Sequence, residues 1–117
     1  MGATAGGPTV EDEMAALLEA LAHPVRVALV AGLAQGEASP GALAAAAGSD
    51  PVEAAWHLAA LEAAGAVVSS GGPGGARYRL ADPDLAAACA SLRSVLVCRL
   101  ATARRLDEFA VPEPRGR

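Results

Sequence analysis

Few side chains in this sequence are of the kinds that make or break bonds, and their spacing limits what they can do. There are two histidines, His23 and His57, and two cysteines, Cys89 and Cys98. The cysteines lie nine residues apart in a helix-patterned stretch. At 100° per residue they point to opposite sides and cannot hold one metal ion from a single chain. Cys89 falls on an apolar seam, where a thiol reads as a small core residue. Cys98 is less determined, open to thiol sensing or to a site shared between two chains. Ni²⁺ and Zn²⁺ prefer imidazole and thiolate, and too few of these fall in one place for a tight site. What remains is a weak Ni²⁺ or Zn²⁺ site using Glu11, Asp12 and Glu13 with a histidine from elsewhere. No residue is assigned as a metal ligand. No nucleophile has a plausible base, and GGPGG at 71–75 lacks the strand-to-helix setting of a phosphate loop, so the chain does not read as an enzyme.

The remaining binding chemistry belongs to arginine. All nine bases are Arg, against thirteen acids, for a net charge of −4. A nucleic-acid binder ordinarily carries a basic footprint, so the distribution matters more than the total. From Glu37 to Glu62 lie four acids and no base, whereas six arginines between Arg77 and Arg105 meet only Asp82 and Asp84. Arg26 is the only base in the first 76 residues. It falls in the first turn of a helix, where the macrodipole disfavours a cation. It therefore asks for a specific partner, an acid such as Glu19 or a phosphate.

The elements that must position these residues centre on 39–65, SPGALAAAAGSDPVEAAWHLAALEAAG. Ser39-Pro40 supplies an N-cap and a φ-restricted first helical residue. Gly48-Ser49 breaks that helix, and Asp50-Pro51-Val52-Glu53 restarts one in the pattern of a capping box. Gly65 ends it as a left-handed residue. Two short helices around a glycine turn form either a helix-turn-helix or a plain helical hairpin. Before them, Thr9 caps a helix to about Leu21 with Met14, Leu17, Leu18 and Leu21 on one face, and His23-Pro24 opens a second helix. After them, 66–70 and 76–80 read as strands around the glycine loop, with Arg77 and Arg79 on one face. Asp82-Pro83 opens a last helix to about Leu106. In it Leu85, Cys89, Leu92 and Leu96 follow a 4,3,4 spacing suited to a partner helix.

At 117 residues this is one domain. It is 53% hydrophobic but only 3% aromatic, so its core must be built from Ala, Leu and Val. The first and last helices each present an apolar face that so small a unit leaves uncovered, and pairing two copies across a two-fold axis covers both. With no leader and no uninterrupted apolar run near 18 residues, a cytoplasmic protein that does not span a membrane is expected.

The order helix, helix, helix-turn-helix, wing, helix, with the strings LAHPVRVALVAGL, WHLAALEAAGAV and ARYRLADPDL, resembles the ArsR/SmtB family of winged-helix repressors. The resemblance covers residues 9–106, between an expected disordered N-terminus at 1–8 and a flexible tail at 107–117. Its most specific parts are HLxxLxxAG at 57–65 and YRLADP at 78–83. It implies a mainly α fold with a small β-hairpin, a winged helix-turn-helix of order α-α-α-α-β-β-α. It also implies a homodimer joined through its first and last helices, by Met14, Leu17, Leu18, Leu21, Leu85, Cys89, Leu92 and Leu96. A recognition helix at about 50–64 would enter the major groove of double-stranded DNA, with the wing on the flanking backbone.

Departures from the family pattern are as informative as the match. Family recognition helices usually begin with Ser, Gln and Thr and carry polar residues or His where this chain has Ala55 and Trp56. With Ala54, Leu58 and Leu61 facing inward, the candidate DNA contacts are Pro51, Val52, Glu53, Ala55, Trp56 and His57, joined by Arg77, Arg79 and Arg26. Val52 and Ala55 can meet thymine methyls and Glu53 can accept from a cytosine amine. None of the three donates to a phosphate. Trp56 either contacts DNA, contacts another protein or is tucked beneath the wing. The family's two familiar metal sites are missing, since 42–46 holds no Cys and the last helix no His. His23 reads as a capping residue. The expectation is a DNA-binding regulator, repressor-type, whose effector response is atypical or depends on a separate sensor protein. The alternatives are a protein-interaction co-regulator with weak DNA binding of its own, and a nickel- or zinc-responsive regulator with a non-standard site.

Overall fold

The computed structural model describes residues 6–72 and 75–109, with side chains as far as Arg105. Residues 1–5 and 110–117, where most of the disordered N-terminus and tail are expected, lie outside the described residues. The order is α1 Val10–Leu21, α2 Pro24–Leu33, α3 Pro40–Ala47, α4 Pro51–Ala63, β1 Val67–Ser70, β2 Arg77–Leu80 and α5 Asp84–Phe109. This is the expected mainly α fold with one antiparallel hairpin, and α5 runs three residues past Leu106.

The helix boundaries follow from local chemistry. Thr9 accepts from the Asp12 N–H at 3.0 Å while its own N–H donates to the Asp12 carboxylate at 3.0 Å, a reciprocal cap on α1. Ser39 caps α3 by accepting from the Ala42 N–H at 3.2 Å. Asp50 caps α4 by accepting from the Val52 N–H at 2.7 Å. The capping box expected there does not close: the Glu53 carboxylate accepts from the Ser49 hydroxyl at 3.3 Å rather than from the backbone of Asp50. His23, expected to cap α2, makes no side-chain cap hydrogen bond, because its ring turns inward against His57. Gly65, at φ +81°, lets the Ala66 N–H reach the Leu61 carbonyl at 2.9 Å and the Gly65 N–H reach that of Glu62 at 3.0 Å. That pair of bonds closes α4 and aims the chain directly into β1.

The hairpin register pairs Val67 with Leu80 and Ser70 with Arg77. Val67 and Leu80 are buried. Arg77 and Arg79 share the opposite, exposed face, as the alternation requires. An isolated bridge joins Tyr78 to Ala38, with N–H to carbonyl bonds of 2.8 and 3.0 Å in the two directions. It fastens the wing to the turn ahead of the helix-turn-helix.

The core gathers around α2. Leu29, Val30 and Leu33 meet Leu43 of α3, Leu58 and Leu61 of α4, and Val67 and Leu80 of the wing. Leu21 belongs to this same core, which corrects its expected place on a face left for another chain. Leu17, Leu85 and Cys89 are half-buried against it. Beyond Cys89 the core ends: from Ala90 to Arg105 every side chain of α5 is exposed, Leu92, Val95, Leu96 and Leu100 among them. Met14 and Leu18 of α1 are exposed as well. The same composition makes α5, over Asp84–Arg105 at mean hydropathy 1.5, long and apolar enough to cross a membrane. The expectation that the chain does not span a membrane rests on unbroken apolar runs, and this helix qualifies only by its length and average composition. Judged as unbroken runs its apolar stretches are short, but Arg93 and Arg99 are the only charges between Asp84 and Arg104.

Leu58→Ala should cost about 2–5 kcal/mol by urea unfolding at fixed protein concentration, because Leu58 is fully enclosed. Val52→Ala, at a position 78% exposed, should stay within about 0.5 kcal/mol.

Candidate nucleic-acid interface

The inward face of α4 is Ala54, His57, Leu58 and Leu61, all buried. Those positions recur at helical spacing and turn the other side of the helix outward. Pro51, Val52, Glu53, Ala55 and Trp56 are exposed, as a reading helix needs. His57 is not among them. At 1% exposure it is an interior residue, which corrects its place among the DNA contacts.

His57 sits where three elements meet. The Arg26 Nε–H, from α2, donates to His57 Nδ1 at 3.0 Å, and Arg26 Nη1 donates to the Ala20 carbonyl of α1 at 3.0 Å. Arg26 therefore spends these two donors inside the fold, on His57 and the Ala20 carbonyl, rather than on Glu19. With Nδ1 accepting, the imidazole proton is on Nε2, which faces the Glu53 carboxylate at 3.7 Å. The His23 ring lies 4.3 Å from that of His57, its own Nδ1 buried without a partner among the described residues. Trp56 packs edge-on to His57 at 4.8 Å, and the Arg26 guanidinium lies 5.3 Å from its ring centre, within cation–π range. Trp56 is nevertheless 62% exposed. At that exposure it is not tucked beneath the wing, and its ring rests on His57 and the Arg26 guanidinium.

The wing contributes two exposed cations. Arg77 forms an ion pair with Glu37 at 3.2 Å and donates to the Glu37 carbonyl at 3.2 Å. Arg79 donates to the Leu80 carbonyl at 3.3 Å. The Ser69 hydroxyl donates to the Glu62 carboxylate at 2.8 Å, tying the wing to the last turn of α4. As for metal ligands, no three His, Cys, Asp or Glu side chains come together among the described residues. Asp12, an expected weak ligand, is committed to the α1 cap. Hydrogen bonds from the Thr9 backbone and then its side chain hold its carboxyl below the usual value.

A family model described as a helix-turn-helix domain matches residues 21–69, which take in α2 through β1. The transcriptional repressor BigR from Xylella fastidiosa is 32% identical, with a TM-score of 0.67 over 73% of this chain and 87% of that one. The cadmium metal-sensor CmtR from Mycobacterium tuberculosis is 38% identical, with a TM-score of 0.60 over 70% and 85%. Mb0332 from Mycobacterium bovis, a homodimeric winged helix-turn-helix DNA-binding domain and possible ArsR-family transcriptional regulator, is 26% identical, with a TM-score of 0.66 over 100% and 96%. The chain belongs to the ArsR family of winged helix-turn-helix transcriptional regulators. A comparison with curated protein sequences finds no significant match. As an ArsR-family chain its helix-turn-helix is α3–α4 and its wing is β1–β2. The hub beneath α4, Arg26 with His57 and His23, is the part that sequence reasoning missed. The one available signal was the unexplained arginine in a helix's first turn.

Burial, then the charges of His23 and Arg26, push the His57 pKa down, against the opposing pull of Glu53. The unfolded chain, with an ordinary imidazole value of about 6.5, therefore takes up a proton before the native one does. The His57 contribution to stability is complete above that value and is lost as pH falls from it through the lower native value. Urea unfolding of wild type and His57→Gln should show a stability difference that is constant above about pH 7 and shrinks below pH 6.5.

Proposed function

We propose that the protein is a homodimeric, repressor-type regulator that binds a pseudo-palindromic operator in double-stranded DNA. In this reading α4 enters the major groove and the wing lies on the flanking backbone. The observation that carries it is the pairing of an exposed α4 face with two exposed arginines, Arg77 and Arg79, on one side of the wing. The repressor assignment is supported by the likeness to BigR, and the homodimer by the likeness to Mb0332. The uncovered apolar residues of α1 and α5, Met14, Leu18, Leu92 and Leu96, support the same pairing. Such a regulator works in the cytoplasm, and α5 packs against its copy rather than entering a membrane.

Affinity in this account comes from the wing and discrimination from α4. The Arg77–Glu37 pair is half-exposed on both sides, worth about 0–1 kcal/mol, so a phosphate can displace the carboxylate at little cost. Val52 and Ala55 are placed to meet thymine methyls, and Glu53 to accept from a cytosine amine. The effector is assigned to a separate sensor protein or to an atypical site, because 42–46 holds no Cys and the last helix no His. A weak Ni²⁺ or Zn²⁺ site would need ligands from both chains.

One observation favours a second reading, a co-regulator that binds protein. Val52 and Trp56 are large exposed apolar groups on a face whose charges, Asp50 and Glu53, are acidic. Fluorescence anisotropy against the chain's own upstream region, over a range of salt, separates the two. The DNA reading predicts sequence preference at moderate salt; no preference at any salt, with a partner lost on Trp56→Ala in pull-down, favours the co-regulator. Arg77→Ala and Arg79→Ala should each weaken binding to all sequences alike and lower the slope of log K against log salt by about 0.9.

A further inference from the structure

We infer that Arg26 is a positioning residue for DNA reading: its guanidinium holds His57 and Trp56 and so sets the angle at which the recognition helix presents Trp56. The inference rests on the DNA-binding reading above. Arg26 spends its donors inward, Nε–H on His57 Nδ1 and Nη1 on the Ala20 carbonyl, both at 3.0 Å. Its face lies 5.3 Å from the Trp56 ring centre. One planar cation thus fastens the end of α1, the start of α2 and the middle of α4. Trp56 is exposed and packs on His57 and Arg26, so its orientation depends on what lies beneath it.

The chemistry is specific to arginine. A guanidinium offers several N–H donors in one rigid plane while leaving its faces free to stack, whereas an ammonium is a compact point charge with neither property. Arg26→Lys therefore keeps the charge and loses the clamp. The acceptor is equally specific, since Nδ1 accepts only while it carries no proton. The groups that face His57 are His23, Arg26 and Glu53. The clamp also joins α1, which carries the exposed Met14 and Leu18, to the reading helix.

Trp56 is the only tryptophan in the chain, so its fluorescence reports on this position alone. The test uses the full chain and four forms: wild type, Arg26→Lys, His57→Phe, which fills the ring volume without an acceptor, and His57→Gln, which restores an acceptor oxygen. Acrylamide quenching of Trp56 is read in the free protein, and affinities for operator and scrambled duplex are read as a function of salt. Arg26→Lys and His57→Phe should raise quenching about twofold and reduce operator-over-scrambled preference about tenfold, the scale of one lost base contact. Their salt slope should stay as in wild type, and His57→Gln should recover most of both signals. Unchanged quenching and preference in Arg26→Lys would overturn the inference. So would a salt slope lower by about one, which would make Arg26 itself a phosphate contact. Raised quenching with intact preference would overturn the assignment to DNA reading. A wild type without operator preference would instead overturn the DNA reading itself, and the free-protein quenching still separates that failure from the absence of the clamp.

Discussion

The burial of one side of α4 is the constraint on which the rest of the structure depends. Ala54, His57, Leu58 and Leu61 are consumed by the core that α2 organises. A helix whose inward face is fixed by packing has no freedom in its outward face. Val52, Glu53, Ala55 and Trp56 are thus presented as a consequence of where the leucines go. The Gly65 ending then delivers the chain into β1, and Val67 and Leu80 seal the wing onto the same core. Reading surface and core are two sides of one packing decision.

That decision places a polar group in an unusual position. Burying an imidazole costs free energy unless it is hydrogen-bonded, and His57 meets the requirement with a donor from Arg26, 31 positions earlier in the chain. The charge of Arg26 is partly buried in turn, and it is compensated by the Ala20 carbonyl and the Trp56 ring. The network is cheap because each member satisfies another. It also leaves the acidic face of α4 without an exposed cation. In the proposed function the wing, tied to α4 through Ser69 and Glu62, supplies the attraction for phosphate.

Much of this was legible in the residues. Thr9, Ser39, Asp50 and Gly65 mark helix ends by mechanisms that act within a few positions, and the structure uses all four. The alternation that puts Arg77 and Arg79 on one face is likewise local. What was not legible depends on distance in the chain. His57 adjoins Leu58 on the helix surface, and only the tertiary packing decides that both turn inward. The partner of Arg26 lies beyond any local pattern, and the Ala38–Tyr78 bridge is too short to have a period. Leu21 lies at the end of an apolar face, where the core of its own chain captures it.

Several large apolar residues lie uncovered by any of the described residues. Leu92, Val95, Leu96 and Leu100 of α5, with Met14 and Leu18 of α1, form more apolar surface than one small domain can enclose. The proposal assigns that surface to a second copy, which would hold two α4 helices at a fixed separation. Hydroxyl-radical footprinting of the chain's own upstream region tests this most directly. The account predicts two protected patches on one face of the duplex, their centres about one helical turn, 10–10.5 base pairs, apart or a multiple of that. A single patch, or no protection at moderate salt, would contradict it.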